Sequence, residues 1–66
     1  MTDRIAQGLQ WLAAEISAER EEFGRENQPD GAALLEGLVS HGYAMEQGGR
    51  FGVSPAGFRR LEAAQQ

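Results

Sequence analysis

Four groups of residues in this chain are of types that could do chemistry. The first is a run of carboxylates, Glu15-x-x-x-Glu19-Arg20-Glu21-Glu22, which on a helix could turn acids toward a divalent cation. A site of that kind draws histidines or a matching carboxylate stripe from a second helix. The chain has one histidine, His41, and no cysteine, so the run is expected to be a solvated helix face. His41 could serve as a base or a ligand only with a second such group beside it, and neither Cys nor another His exists to supply one. It reads as a solvent-facing residue near a helix C-terminus, where the dipole favours its charged form. The third group, Gly48, Gly49 and Gly52, is no phosphate loop, because no Lys-Ser/Thr follows it. The fourth is basic: Arg50, Arg59 and Arg60 could meet phosphates or the acids of a partner. From these residues no nucleophile–base pair, metal set or cofactor loop can be assembled. The expectation is therefore a non-enzymatic protein with no cofactor and no metal.

The elements that must position these residues fit in one domain of 66 residues. A domain of this size buries only about 60% of the surface its unfolded chain exposes, so a partner or a second copy would add to a thin stability margin. Without cysteine, neither a disulfide nor a thiolate–zinc site can add to it. The start MTDRIAQG carries an acid where a secretory signal needs basic residues, and no window approaches the roughly 20 apolar residues of a membrane span, so a cytoplasmic protein is expected. The formal charge of −4 is unevenly spread. Residues 1–23 hold five acids against two arginines, residues 24–42 three against one, and residues 43–66 two against three, so only the last third is basic.

Ile5, Leu9, Leu12, Ile16 and Phe23 recur at helical spacing and predict one long helix over about 2–23, capped by Thr2, with Asp3 set against the dipole and Gly24 as a stop. Trp11 flanks the stripe, as a core residue or as an interface anchor. Such a helix would be about 30 Å long, more than so small a domain can cover, and Leu9, Trp11, Leu12 and Ile16 are the expected self-association face. Residues 24–29 read as a loop and about 30–41 as a second helix, with Pro29 near its first turn. Leu34, Leu35, Leu38 and Val39 line its inner side, Gly37 could mark a close helix crossing, and Gly42 is the left-handed terminator. Over about 43–53, Tyr43 and Met45 on one strand, and Phe51 and Val53 on the next, are expected to face one core across a Gly48-Gly49 turn of two to four residues. Ser54 caps a last helix over about 54–64, with Pro55 at its first position and Phe58 and Leu61 turned inward; Ala64 to Gln66 are expected to fray.

The order LLEGLV-x-x-GY, then a hairpin with an arginine at its tip, then V-S-P-A-G-F-x-x-L, resembles the C-terminal half of bacterial winged-helix regulators of the MarR and PadR kind. The resemblance covers about residues 33–62. It implies an α+β, mostly-α, winged-helix-like domain in which residues 30–41 would be the recognition helix and the hairpin the wing. One long helix, in place of the family's two, would precede that recognition helix. If the pattern held, residues 30–41 would enter a DNA major groove. That segment has no Arg or Lys and presents Asp30, Glu36, Ser40 and His41, and acids facing a polyanion are repelled. The expectation is a bacterial or phage accessory module in transcription regulation that docks on a protein and forms a homodimer. The alternative is a dimeric regulator that binds duplex DNA through Arg50, Arg59 and Arg60.

Overall fold

The structure, a computed structural model, describes residues 3–64. The expected Thr2 cap and the fraying of Gln65 and Gln66 lie outside the described residues. The described chain is α+β and mostly helical, running α1 (Arg4–Glu15), β1 (Ala18–Glu19), α2 (Arg20–Glu26), α3 (Gly31–Ser40), β2 (Ala44–Gln47), β3 (Arg50–Val53) and α4 (Pro55–Ala64). The strands form one antiparallel sheet in the order β1-β3-β2.

The long first helix is the main correction. Asp3 caps α1 by accepting the Ala6 N–H at 3.1 Å, and the helix ends at Glu15 instead of running on to residue 23. The chain turns at Ile16, whose φ of 70° and ψ of −51° are costly for a β-branched side chain, on the order of 1–3 kcal/mol. Two residues then pair with the hairpin, Ala18 opposite Phe51 and Glu19 opposite Arg50, before α2 begins. The physical reason for the break is Phe23. In a continuous helix it would lie about 18 Å along the axis from Trp11. Folding back brings the two rings edge to face at 5.5 Å and encloses Phe23 completely. The apolar stripe that one helix could not cover is thus folded onto itself. Two helices, not one, precede α3, and Gly24 lies within α2 instead of stopping it.

The core joins Leu9 and Leu12 of α1, Phe23 of α2, Leu34, Leu35 and Leu38 of α3, Phe51 of β3 and Leu61 of α4. Burying these side chains against one another supplies the main stabilisation of so small a fold. Val39 sits at the edge of the α3 inner face and is 40% exposed, since Gly31, Leu34, Leu35 and Leu38 already define the buried side. Gly37 faces open space; the tight helix crossing is instead at Gly31, where an added Cβ would press on the Gly24 backbone. The end of α3 is a Schellman motif: the Gly42 N–H donates to Val39 O and the Tyr43 N–H to Leu38 O, with Gly42 at a φ of 78°. The hairpin then closes through a two-residue Gly48-Gly49 turn, both at positive φ as a type I′ geometry demands.

That turn length sets the phase of β2. Gln47 lies opposite Arg50 and Glu46 opposite Phe51, so Ala44 falls on the inner row with Phe51, and Met45 points outward, 55% exposed. The expectation that Met45 faces the core is thereby overturned, while Tyr43 packs half-buried against it. Ser54 caps α4 as expected, accepting the Gly57 N–H at 3.1 Å while its hydroxyl donates to the Gly42 carbonyl. Leu61 turns inward but Phe58 does not. The helix meets the Tyr43 carbonyl with Gly57, where no Cβ would fit, and this rolls Phe58 out to 52% exposure.

Candidate interaction surfaces

The outer side of α3 is the surface that the winged-helix resemblance would turn toward DNA. It exposes Ala32, Ala33, Glu36, Val39 and Ser40, followed by His41. These side chains are small or apolar apart from one acid, and none is basic. His41 stacks on Tyr43 with ring centroids 5.7 Å apart and remains exposed at the C-cap. The face can pack against a protein surface. It lacks the cations that would offset the repulsion between Glu36 and a phosphate backbone.

Most of the arginines are engaged by the chain's own groups. Arg4 of α1 holds the loop before α3, donating from Nε to Asp30 at 3.0 Å and from Nη2 to Asp30 and the Asn27 carbonyl. Its guanidinium holds the Asp30 carboxyl below the usual carboxylate range. Arg60 of α4 grips the Asp3 carboxylate at 3.0 and 2.9 Å; the Ala6 N–H and then Arg60 hold that carboxyl below its usual range as well. Arg20 lies over the Phe51 ring, 5.1 Å from its centroid, and Arg25 approaches Glu26 at 3.9 Å. Arg50 donates from Nε to Ser17 Oγ at 2.9 Å and from Nη2 to the Ser17 carbonyl at 3.1 Å. Arg59 alone makes no ion pair, side-chain hydrogen bond or ring contact among the described residues. The three sequence-predicted contact arginines are therefore not brought into one strip. Arg50 is clamped against the β1 connection, Arg60 braces α4 on α1, and Arg59 stands free in solvent.

The predicted self-association face is divided by the fold. Leu9 and Leu12 are fully enclosed in the core and cannot meet a second copy, because α3, α4 and β3 pack over α1. Trp11 is half-buried against Phe23 and serves the core flank. Ile16 is the exception, at 82% exposed. It borders a surface cleft of about 280 Å³ formed with Ala13, Gly52, Val53 and Phe58. A second hollow of about 470 Å³ continues from Ile16, Gly52 and Val53 along the outward row of the hairpin, past Met45 to Arg50. Sequence reasoning missed Met45 and Phe58 as surface residues. A commitment to a two-residue turn would have found Met45, since Phe51 inward then forces Met45 outward; Phe58 had no such signal.

The acidic run does not share one helix face either. Glu15 ends α1, Glu19 sits on β1, and Glu21 and Glu22 enter the first turn of α2, where the dipole favours them. Among the described residues no three His, Asp or Glu side chains converge to hold a metal ion, and no helix is long and apolar enough to cross a membrane. Comparison of the chain with protein-family models, with curated proteins and with solved structures finds no match.

Proposed function

We propose that this chain is a non-catalytic, winged-helix-like interaction module of the cytoplasm that works by docking on a protein. The single observation that carries the reading is the outer side of α3, which offers Ala32, Ala33, Glu36, Val39 and Ser40 and no cation. The order α1-β1-α2-α3-β2-β3-α4, with two helices ahead of α3 and a hairpin behind it, supports the winged-helix part of the proposal. Arg4, Arg50 and Arg60 are drawn onto the chain's own oxygens, which favours a protein partner over a nucleic acid. The non-catalytic part rests on the residue inventory, one histidine and no cysteine, from which no nucleophile–base pair or metal set is assembled.

The test is a titration of labelled mixed-sequence duplex DNA at low salt, read by anisotropy. No binding below about 100 μM is the expected result, a concentration at which the non-specific contacts of DNA-binding domains already register. Saturable binding that Arg50→Ala and Arg59→Ala weaken, with a log–log salt slope of about −2.7 per protomer for three phosphate contacts, would replace this reading with the DNA-binding one.

A further inference from the structure

Ile16, Met45 and Phe58 are three of the four large apolar side chains that stand exposed among the described residues, and all three border the joined hollows floored by Gly52 and Val53. The geometry points to this cleft as the contact surface for a second copy of the chain, paired about a twofold axis with Ile16 of each copy seated between Val53 and Phe58 of the other. The inference deepens the protein-docking reading and rests on it, naming one partner and the surface that partner uses.

Three observations carry it. Ile16 has no folding reason to be isoleucine: it is almost wholly exposed, and its φ of 70° is a conformation that glycine adopts far more readily. An apolar side chain held outward on strained backbone gains its burial only from outside the single chain. The second observation is shape. The patch carries projections, Ile16 and Phe58, beside a hollow of about 280 Å³, and an isologous interface requires a surface to match itself in this way.

The third is charge. Glu15 precedes Ile16 and Arg59 follows Phe58; both are exposed, and neither has an ion pair among the described residues. Seating Ile16 beside Phe58 of the second copy brings Glu15 of one chain to Arg59 of the other, and the twofold axis repeats the pair. A foreign segment would have to supply both the apolar side chain and the flanking acid, whereas a second copy already carries them in the required order.

Sedimentation equilibrium of the full chain from about 10 μM to about 1 mM tests the pairing. The mass should rise from monomer to dimer, and Ile16→Glu and Phe58→Glu should each weaken association at least about tenfold. Glu15→Arg and Arg59→Glu should each weaken it, and the double reversal should regain most of the loss. Circular dichroism and Trp11 fluorescence report that each variant is folded; should either glutamate variant fail to fold, Met45→Glu probes the same patch. A wild-type chain that stays monomeric throughout overturns the inference. So does a dimer indifferent to the folded patch variants, a double reversal that restores nothing, or a monomer that uses these residues only for a different protein. A dimer that also binds duplex DNA would leave the pairing standing and sink the docking reading. A monomer that ignores DNA would do the opposite.

Discussion

The two ends of α1 are built on opposite principles. At the N-terminal end, Asp3 caps the helix and is held by Arg60 of α4, while Arg4 one residue on is held by Asp30 before α3. Three elements are thus fastened within two consecutive residues. At the C-terminal end Glu15 is unpaired among the described residues, Ile16 adopts a strained φ, and the only side-chain hydrogen bonds nearby among the described residues run from Arg50 to Ser17. The difference separates fold from surface: one end is committed to holding the domain together, and the other carries an apolar side chain that the fold does not use.

The sharpest way to probe that contrast is to compare positions 12 and 16, one helical turn apart in sequence. Leu12→Ala removes a fully enclosed side chain and should cost about 2–5 kcal/mol, enough in so small a domain to leave much of it unfolded at 25 °C. Loss of helical circular dichroism would register it. Ile16→Gly should do the reverse. It gives up almost no burial within the single chain, and relief of backbone strain outweighs the extra chain entropy of glycine, for a net gain of about 1 kcal/mol in urea unfolding at concentrations where the chain is monomeric. If the two substitutions destabilised alike, the contrast between the ends would be void.

The smallest effect belongs to the fastened end. Asp3 and Asp30 titrate lower in the folded chain than in the unfolded one, so the folded state binds fewer protons. Their contribution is fully present above the unfolded value of 3.8 and is lost as the pH falls through the depressed folded values. Melting temperature should therefore drop in acid, and Asp3→Asn with Asp30→Asn should flatten that slope. Because both pairs are exposed, added salt should shrink the difference.

Local chemistry made much of the fold legible. Gly42 as a left-handed terminator, the Gly48-Gly49 turn and the Ser54-Pro55 helix start are each set by a few adjacent residues, and each appears at its expected place. The errors fall where distant segments decide. The stripe from Ile5 to Phe23 has helical periodicity throughout, yet the chain breaks after Glu15, because Phe23 gains more by packing on Trp11 than by extending a half-bare helix. Phe58 turns outward because the approach of Gly57 to Tyr43 rolls α4 about its axis, and no pattern within α4 encodes that contact. The candidate surface suffered most: of Leu9, Trp11, Leu12 and Ile16, only Ile16 is freely available to a partner.

By itself the sequence determined the mostly helical α+β class, the Gly42 terminator, the Gly48-Gly49 turn and the Ser54 cap, and an α3 segment without a cation, since all of these depend on residue type and near-neighbour spacing. Only the tertiary structure decided that Ala18 and Glu19 pair with Phe51 and Arg50, that most of the arginines are held by the chain's own oxygens and rings, and that Ile16, Met45 and Phe58 share one cleft. These are mostly contacts between residues more than 20 apart, chosen by which apolar surfaces can be covered at once, and a periodicity read along a single segment carries no information about that choice.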